Sequence, residues 1–452
     1  MRIIPNIKLT LSEVAYATGI TTSNLDLPIG AIVTNSQEAK KNDLFVALRG
    51  ESANGEAFTE NAKESGAFIL SAKNNNADIK VTDTEAALLD VASFYKSKLN
   101  NLKHTVAITG SVGKTTAKNM LSEVLKTFYN VHSTYGNYNN FLGVSHTILT
   151  APRDCEILVV EMGMNHRGEI SQLSQAVSPD VSVITNVGTA HIGNLGSRES
   201  IANAKLEITD GMKNPLIIMP EEEVLLKKAK GRYTFSISKN TGDCFLDNVK
   251  EDAFGALLDV HTSTQFIKDL RINIPGRHVL SAVAIAASVL EKLGMELRLL
   301  AETLPKIKSE TVVRAKMIKL GCYEIYDDTY SASYEATIAN FEMLSKKEKK
   351  MSCILGDMLE LGEESKDIHV RLGEEVVKYG FQNLFTFGKA ATFIAKGARD
   401  AGMKNDCIFI NEDIDSPNIT AEQIKRNCER DELLFFKASH SIHAERIYSF
   451  LN

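Results

Sequence analysis

The sequence predicts an α/β protein of three domains, and three observations lead to that prediction. The chain has 452 residues, which is too long for one compact hydrophobic core. From residue 103 onward, short β-branched runs that end in glycine alternate with helical patterns, as in parallel sheets that are buried on both faces. Hydrophobic residues make up 44% and charged residues 24% of the chain, as in an ordinary globular protein.

The composition argues against several classes of protein. The net charge of −6 gives no reason to expect nucleic acid or an acidic membrane surface as a partner. No stretch approaches the roughly 18 consecutive apolar residues of a membrane span, and the opening MRIIPNIKLT is unlike a signal peptide. The six cysteines contain no C-x-x-C pair, which argues against a zinc site or a disulfide framework. We therefore expect a cytoplasmic protein, and the polar composition gives no reason to expect more than a monomer.

The first segment, residues 1–102, predicts a smaller α/β domain. Its pattern contains a short strand in DLFVALRG (residues 43–50) and a helix in TEAALLDVASFYKSKL (residues 84–99). These elements mix strand and helix patterns but lack the regular alternation of the rest of the chain.

The central segment, residues 103–309, predicts a parallel sheet from TVAITG (105–110), CEILVVEMG (155–163) and DVSVITNVG (180–188). The third segment, residues 310–452, alternates strands with helices again and predicts a Rossmann-like, doubly wound domain. Residues 304–317 are the best candidate for the linker. Because ligands of open parallel sheets bind outside the carboxyl ends of the strands, polar side chains at those ends are the candidate functional residues.

A glycine-rich loop follows the first predicted strand of the central segment, in VAITGSVGKTT (106–116). It departs from the longer phosphate-loop pattern G-x-x-x-x-G-K-[ST], which would need glycine where the chain has Ile108. Gly110 and Gly113 still permit a tight turn whose N–H groups and following helix would bind an anion. An incidental lysine in a glycine-rich turn is the alternative, but the position between a buried strand and an amphipathic helix favours a phosphate loop.

Two further predicted strands of the central segment end in polar side chains. Glu161 closes the strand in LVVEMG, and Asn186 and His191 follow the strand in VITNVGTAHIG. Strand ends in register with a phosphate loop favour metal binding. Two alternatives stay open from these residues alone: Glu161 could pair with a helix terminus, and His191 could be a solvated or core histidine.

Together these segments resemble the Mur ligase family, ATP-dependent ligases that build the peptide of bacterial cell-wall precursors. The family's loop has the shorter form G-x-x-G-K-[ST]-[ST], which GSVGKTT (110–116) matches. The other matching stretches are TYGNYNNFLGV (134–144), VVEMGMNHRGEI (159–170), VITNVGTAHI (183–192), IANAKLEI (201–208), IPGRH (274–278), DDTYSASYEA (327–336), ILGDMLELGEES (354–365) and KASHS (437–441).

Within the family, one branch adds D-alanyl-D-alanine to UDP-N-acetylmuramoyl-tripeptide. The stretches that are similar to this branch are VVEMGMNHRGEI, VITNVGTAHI, ILGDMLELGEES and the opening residues 34–58. The resemblance implies that the first segment binds the UDP-linked substrate, the central segment is the ATPase domain, and the third segment binds the incoming amino acid or dipeptide. It also implies two steps, in which a carboxylate attacks the γ-phosphate and an amine then displaces phosphate from the acyl phosphate.

The resemblance also assigns the site residues. Lys114, His191, Lys205 and Arg314 would be catalytic, and ATP would contact Gly110, Ser111, Val112, Gly113, Lys114, Thr115, Thr116 and Asp328. One Mg²⁺ would be held by Thr115 or Thr116 with Glu161, and a second by His191 and Lys205. Substrates would contact Ser36, Asn137, Asn139, Asn140, Tyr330, Lys437 and Ser439.

Lys205 needs chemistry of its own, because a protonated lysine is a poor metal ligand. In the family the equivalent lysine carries a carbamate made from CO₂, and carbamate formation requires a neutral amine and therefore a lowered pKa. From the residues alone, an exposed helix lysine is the favoured interpretation of Lys205, and for Lys437 and Ser439 an ordinary strand end stays open beside the binding role.

The chain departs from the family pattern in four places. The usual D-S-R of the first domain is Asn35, Ser36 and Gln37, and two asparagines after P-G-R-H are Val279 and Ala282. The branch's Y-N-A-N-P reads YSASY (330–334), and the arginine of K-G-S-R-S is His440. A Mur-type paralogue with other substrates and a non-catalytic nucleotide-dependent binding protein therefore remain as alternatives.

Overall fold

The structure is a computed structural model that describes residues 1–21, 26–50, 54–252, 254–347 and 349–451. These residues form three sheets of five, nine and six strands, each lying within one of the three segments. The predicted α/β class is confirmed. No helix in the described ranges has both the length and the apolar character needed to cross a bilayer.

The first sheet has its strands in chain order, with β1 antiparallel to β2 and the other pairs parallel. Its strands are β1 Arg2–Ile3, β2 Ile32–Val33, β3 Leu44–Val46, β4 Phe68–Ser71 and β5 Ile79–Lys80, and its helices are α1 Leu11–Ala17, α2 Thr59–Glu64 and α3 Thr84–Ser97. The helix α3 begins where the Asp83 carboxylate accepts the N–H groups of Glu85 and Ala86. The strand predicted within 43–50 and the helix predicted within 84–99 are confirmed as β3 and α3.

The central sheet is parallel from β7 to β12 and antiparallel at its far edge. Its strand order is β7, β8, β6, β9, β10, β11, β12, β13, β14. The strands are β6 His104–Thr109, β7 Val131–Ser133, β8 Ile157–Glu161, β9 Val181–Ile184, β10 Ile217–Pro220, β11 Arg232–Ser236, β12 Cys244–Asp252, β13 Gly255–His261 and β14 Phe266–Ile272. The antiparallel β13 and β14 were not part of the predicted parallel sheet. Only residues 253 and 254 separate β12 from β13, whereas a parallel return needs a dozen or more.

Helices cover both faces of the central sheet. They are α4 Lys114–Lys126, α5 Phe141–Leu149, α6 Glu169–Val177, α7 Ile192–Leu195, α8 Arg198–Leu206, α9 Arg277–Lys292 and α10 Arg298–Thr303. Along β6, Val106 and Ile108 belong to the hydrophobic cluster of α4 and α9, while Ala107 belongs to the cluster of α5 and α6. Successive strand residues point to opposite faces, so burial on both faces explains the continuous apolar runs.

The helix α3 of the first segment packs into the central segment. Leu88 and Val91 share a hydrophobic cluster with Val144 and Leu173 of α5 and α6. The Tyr95 hydroxyl donates to the carbonyl oxygen of Ala151 at 2.7 Å. One apolar core therefore extends through both segments.

The third sheet is parallel except for its first strand, with the order β15, β16, β20, β17, β18, β19. Its strands are β15 Lys316–Leu320, β16 Tyr323–Asp328, β17 Met351–Gly356, β18 Leu384–Phe387, β19 Ile408–Asn411 and β20 Leu433–Lys437. The helices of the segment are α12 Tyr334–Leu344, α13 Ser365–Lys378, α14 Thr392–Asp400 and α15 Pro417–Asn427, while α11 Ser309–Val312 spans the boundary to the central segment and packs in its core. Residues of α12, α13 and α14 belong to one hydrophobic cluster and those of α15 to a second, which is the predicted doubly wound arrangement.

Candidate active site

The carboxyl ends of the central and third sheets enclose a cavity of about 520 Å³, called the cleft below. The sequence-predicted residues that line it are Ser111, Val112, Gly113, Lys114, Thr115, Thr116, Asn137, Asn139, Glu161, His191, Arg314, Asp328, Tyr330, Lys437 and Ser439. The structure thus brings most of the predicted site residues to one place.

The phosphate loop lies between β6 and α4 and is fixed by the strand end of β9. Gly110 has a φ of 152°, and a Cβ at this position would lie 1.9 Å from Thr185 Oγ1, so only glycine fits. The N–H of Val112 donates to Asn186 Oδ1 at 2.9 Å, and Asn186 Nδ2 donates back to the Val112 carbonyl oxygen at 2.9 Å. Asn186 therefore holds the shape of the loop.

Lys114 is the first residue of α4 and folds back over the loop. Its ammonium donates to the carbonyl oxygen of Gly110 at 2.7 Å. Desolvation is the main cause of its lowered pKa, with Arg314 adding to the shift and Glu161 opposing it. Lys114 forms no ion pair within the described residues, so its charge is available to a bound anion.

Thr115 and Glu161 face each other beside the loop. Thr115 Oγ1 donates to Glu161 Oε2 at 2.8 Å, and Asn139 Nδ2 donates to Glu161 Oε1 at 2.8 Å. Arg314 Nη2, from the third segment, donates to Thr115 Oγ1 at 2.5 Å. Glu161 accepts from these two side chains rather than from the backbone of a helix end, so the helix-terminus alternative does not describe it.

His191 and Lys205 follow β9 along the chain. His191 has a φ of 65° and precedes α7, and its Nδ1 lies 2.5 Å from Glu360 Oε2. Lys205, on α8, is only 1% exposed, and its ammonium forms no hydrogen bond or ion pair within the described ranges. Desolvation, followed by the charge of Lys114, holds the pKa of Lys205 well below its usual value. The exposed-lysine interpretation is therefore wrong for Lys205.

The third segment supplies the opposite wall of the cleft. Asp328 and Lys437 end the neighbouring strands β16 and β20 and form an ion pair, and Asn340 Nδ2 donates to Asp328 Oδ2 at 2.7 Å. The Arg314 guanidinium lies 4.2 Å from the centre of the Tyr330 ring. The Lys437 side chain is 3% exposed and pairs with Asp328. An ordinary strand end does not account for a lysine that is buried in an ion pair.

Two more cleft residues of the third segment have defined neighbours. The Tyr330 ring stacks against that of His440, with centroids 5.4 Å apart. Ser439 Oγ accepts the N–H of Leu359 at 3.0 Å.

Four predicted residues do not line the cleft. Ser36 is buried in the first segment at the start of a short 3₁₀ turn. Asn140 caps α5, with its Oδ1 accepting the N–H of Gly143 at 2.9 Å. Gly110 and Lys205 lie behind the cleft wall, beside Lys114.

Three charged residues of the site were missed from the sequence. Lys118 is buried one helical turn after Lys114, and its ammonium donates to the carbonyl oxygens of Thr134 at 2.5 Å and Gly136 at 3.1 Å. Glu335 and Glu360 reach from the third segment to the loop after β9. A lysine on the otherwise apolar face of α4 was the available signal for Lys118. For the two glutamates, the sequence carries no signal of the contact across segments.

The described residues contain no cluster of three or more His, Cys, Asp or Glu side chains that could hold a metal. A site of one carboxylate with a hydroxyl and substrate phosphates still suits Mg²⁺, which rarely uses an all-protein cage.

The family model described as the Mur ligase middle domain matches residues 108–290. Over 98% of both chains, the protein is 36% identical to the UDP-N-acetylmuramoyl-tripeptide–D-alanyl-D-alanine ligase of Bacillus subtilis. Identity to the ligase of the same name from Synechocystis is 30%, over 97% of this chain and 96% of the other.

Solved structures of similar proteins match almost the whole chain. A crystal structure of MurF from Acinetobacter baumannii superposes with a TM-score of 0.87 and 26% identity, over 99% of both chains. MurF ligase from Thermotoga maritima in complex with ADP gives a TM-score of 0.78 and 28% identity, over 93% of this chain and 96% of the other.

Proposed function

The chain belongs to the Mur ligase family, among the UDP-N-acetylmuramoyl-tripeptide–D-alanyl-D-alanine ligases, and we propose that it makes the amide bond for which those relatives are named. It would add D-alanyl-D-alanine to UDP-N-acetylmuramoyl-tripeptide with the energy of ATP, as a step of peptidoglycan precursor synthesis. The observation that carries this proposal is the cleft, in which Lys114, Thr115 and Glu161 of the central segment face Arg314 and Lys437 of the third.

ATP binds, in this proposal, with its phosphates on residues 110–116. The N–H groups in the first turn of α4 have no intrahelical partner and suit an anion, and the charge of Lys114 has no carboxylate partner in the described part of the chain. The ADP complex of the similar Thermotoga maritima protein supports nucleotide binding at a cleft of this fold. Asp328 is proposed to meet the nucleotide ribose.

Mg²⁺ fits the oxygen donors beside the loop. Thr115 Oγ1 and Glu161 Oε2 lie 2.8 Å apart, and we propose that they hold one ion, with Thr116 as the alternative hydroxyl. His191 and a carbamate on Lys205 would hold a second, since a buried, unpartnered amine with a lowered pKa is suited to react with CO₂. When bound, the ions would neutralise charge on the triphosphate.

The protein's own side chains position the reactants. The substrate's terminal carboxylate attacks the γ-phosphorus, the bond to the β–γ bridging oxygen breaks, and ADP leaves, which gives an acyl phosphate. Lys114 and Arg314 stabilise the charge that spreads over the transferring phosphoryl group. The amine then attacks the acyl carbon, loses its proton and displaces inorganic phosphate, with Tyr330, Lys437 and Ser439 on the side where the incoming amine is proposed to bind.

The three segments have separate roles in this proposal. Residues 1–102, with Ser36, bind the UDP-linked substrate, residues 103–309 bind ATP, and residues 310–452 bind the incoming dipeptide. Asn137, Asn139 and Asn140 contact the substrate near the phosphate loop. The protein acts as a monomer in the cytoplasm on small molecules, and light scattering of the purified chain tests the monomer.

A second candidate is a Mur-type ligase with other substrates, and the first segment favours it. At the family's D-S-R position, Asn35 Oδ1 accepts the N–H of Gln37 at 3.1 Å and supplies no charged group for a diphosphate. Val279 and Ala282, at the positions of two family asparagines, are buried in the core rather than in the cleft. Recognition of the uridine diphosphate and of adenine therefore rests on other residues.

Phosphate release from ATP tests the proposal directly. With UDP-N-acetylmuramoyl-tripeptide and D-alanyl-D-alanine together, phosphate and the amide product should form in equal amounts. Omission of either substrate is the control for uncoupled hydrolysis. Turnover with another carboxylate and amine alone would establish the second candidate. Nucleotide binding without turnover of any pair would establish a non-catalytic binding protein.

A further inference from the structure

Residues 185–193, the connection after β9 with the first two residues of α7, lie between the phosphate loop and the third segment. On the phosphate-loop side, Thr185 Oγ1 donates to the carbonyl oxygen of Val112 at 2.6 Å, and the N–H of Gly188 donates to Ser111 Oγ at 2.9 Å. We call residues 185–193 the bridging loop.

The other side of the bridging loop contacts two glutamates of the third segment. Glu335, in the first turn of α12, accepts the N–H of Thr189 at 2.9 Å and its hydroxyl at 3.1 Å. Glu360 approaches His191 with its carboxylate at 2.5 Å and accepts the N–H of Gly193 at its carbonyl oxygen at 3.0 Å. The two glutamates are therefore attached at two points of one loop.

The backbone at the second point is unusual on both sides. His191 and Glu360 each have a φ of 65°, a left-handed backbone conformation that residues other than glycine seldom adopt. A Cβ on Gly193 would lie 2.6 Å from the N of Gly362, so the two chains approach as closely as glycine allows. Such conformations persist only where surrounding contacts impose them, and they cluster where a protein closes on a ligand.

We propose that Glu335 and Glu360 are positioning residues that latch the third segment onto the bridging loop and so couple nucleotide binding to closure of the cleft. Because the bridging loop also holds Ser111 and Val112, a nucleotide that orders the phosphate loop strengthens the latch, and the latch strengthens nucleotide binding by the same factor. The latch brings Arg314 to the phosphate loop and orients the ring of His191. It deepens the proposed ligase function, and its structural test needs no turnover.

Hydrogen exchange of the full chain tests the latch, because the N–H groups of Thr189 and Gly193 both donate across it. The variants are Glu335→Ala and Glu360→Gln, and each is compared with the wild type without nucleotide and with ADP. Two control variants carry the same types of substitution outside the latch. Glu342→Ala lies two turns further along α12, and Glu363→Gln changes an exposed residue of the 3₁₀ turn Gly362–Glu364.

We expect Glu335→Ala to raise exchange in peptides covering 186–195 about tenfold, as for loss of a hydrogen bond to a charged group. Glu360→Gln keeps the backbone carbonyl oxygen that accepts from Gly193 and should give a smaller rise, and both variants should weaken ADP binding. The control variants should match the wild type. In steady-state assays the latch variants should lower kcat while the controls leave it unchanged. Thr189→Val, which removes one donor and keeps Glu335, should give a smaller rise in the same peptides.

Exchange equal to that of the controls would overturn the latch, and so would a uniform rise over all three sheets. If no substrate pair turns over but exchange at 186–195 responds as expected, the proposed ligase function fails and the latch stands.

Discussion

On the central side of the cleft, Lys114 gives its hydrogen bonds to backbone carbonyl oxygens, whereas on the opposite side Lys437 pairs with the carboxylate of Asp328. Both lysines lie at the carboxyl ends of parallel sheets. The first retains an unpaired charge at the N-terminus of α4, and the second has its charge matched within its own sheet. The difference indicates that one wall is built to bind an anion and the other to keep a fixed shape.

Lys205 and Lys118 extend this comparison. Lys205 has no partner in the residues that the structure describes, whereas Lys118 donates to two carbonyl oxygens of the loop that carries Asn137 and Asn139. Of four lysines around one site, Lys114 and Lys118 thus donate to backbone carbonyl oxygens, Lys437 pairs with a carboxylate and Lys205 has no described partner. Substituting each lysine in turn distinguishes those that act on the bound ligand, which change the reaction rate, from those that change the free energy of unfolding.

The largest effect is expected from Lys114→Met, which removes the unpaired charge of the central wall. The rate of phosphate release should fall about 10²- to 10³-fold, because a preorganised charge on the transferring group is lost. Rapid-quench single-turnover measurements check this. Lys126→Met is the control, since Lys126 lies on the same helix and pairs with Glu123 at the surface. A near-normal rate in Lys114→Met would assign the phosphate charge to Arg314 instead.

Lys205→Ala tests the lysine without a partner. Activity should fall about 10- to 100-fold, as when the support of a metal site is removed, and added formate or acetate should restore part of it by replacing the carbamate oxygens. Lys205→Arg, which keeps a cation and blocks the space, should not respond to the added acid. Absence of rescue in a folded Lys205→Ala protein would argue against the carbamate.

Lys437→Met breaks the ion pair with Asp328 in the wall formed by the third segment. Among the described contacts, Asp328 then keeps the hydrogen bond from Asn340. The free energy of unfolding should fall by about 2–3 kcal/mol, because a largely buried carboxylate loses its counter-charge. Urea denaturation measures it. The double variant Lys437→Met with Asp328→Asn should recover most of the loss, and failure to recover would show that the pair does not determine the cost.

Lys118 gives the smallest effect, and it depends on pH. Burial lowers the pKa of Lys118 to about 8 from its ordinary value of 10.5. Between those values the folded protein binds fewer protons than the unfolded chain, so its free energy of unfolding rises with pH. Relative to Lys118→Met, the wild type should gain about 1.5 kcal/mol between pH 8 and pH 9.5. Parallel urea titrations at the two pH values measure the gain, and equal slopes for both proteins would contradict the buried lysine.

Much of the central wall could be predicted because its information is local. A β-branched run, two glycines, a lysine and two threonines follow one another over eleven residues, and the structure places them as β6, the loop and α4. The same alternation of strands and helices predicts that Glu161 ends a strand and that His191 follows one, as they do at β8 and β9. The assignment of Lys205 came from the family resemblance, since its helix position alone indicates an exposed residue.

The contacts in the wall formed by the third segment could not be predicted in the same way, because they depend on how separate strands and segments pack together. The sequence places Asp328 and Lys437 109 residues apart, and only the insertion of β20 between β16 and β17 makes them neighbours. Glu335 and Glu360 likewise contact the bridging loop across two segments. The burial of Lys118 depends on carbonyl groups of a loop that no periodicity describes.

The shared core between α3 and the helices α5 and α6 has a consequence for how the protein melts. An apolar core that crosses the boundary between the first and central segments joins them into one cooperative unit, whereas the third segment has hydrophobic clusters of its own and reaches the cleft with polar side chains. Calorimetry should therefore show two transitions rather than three, and nucleotide should bring them together by tying the third segment to the rest.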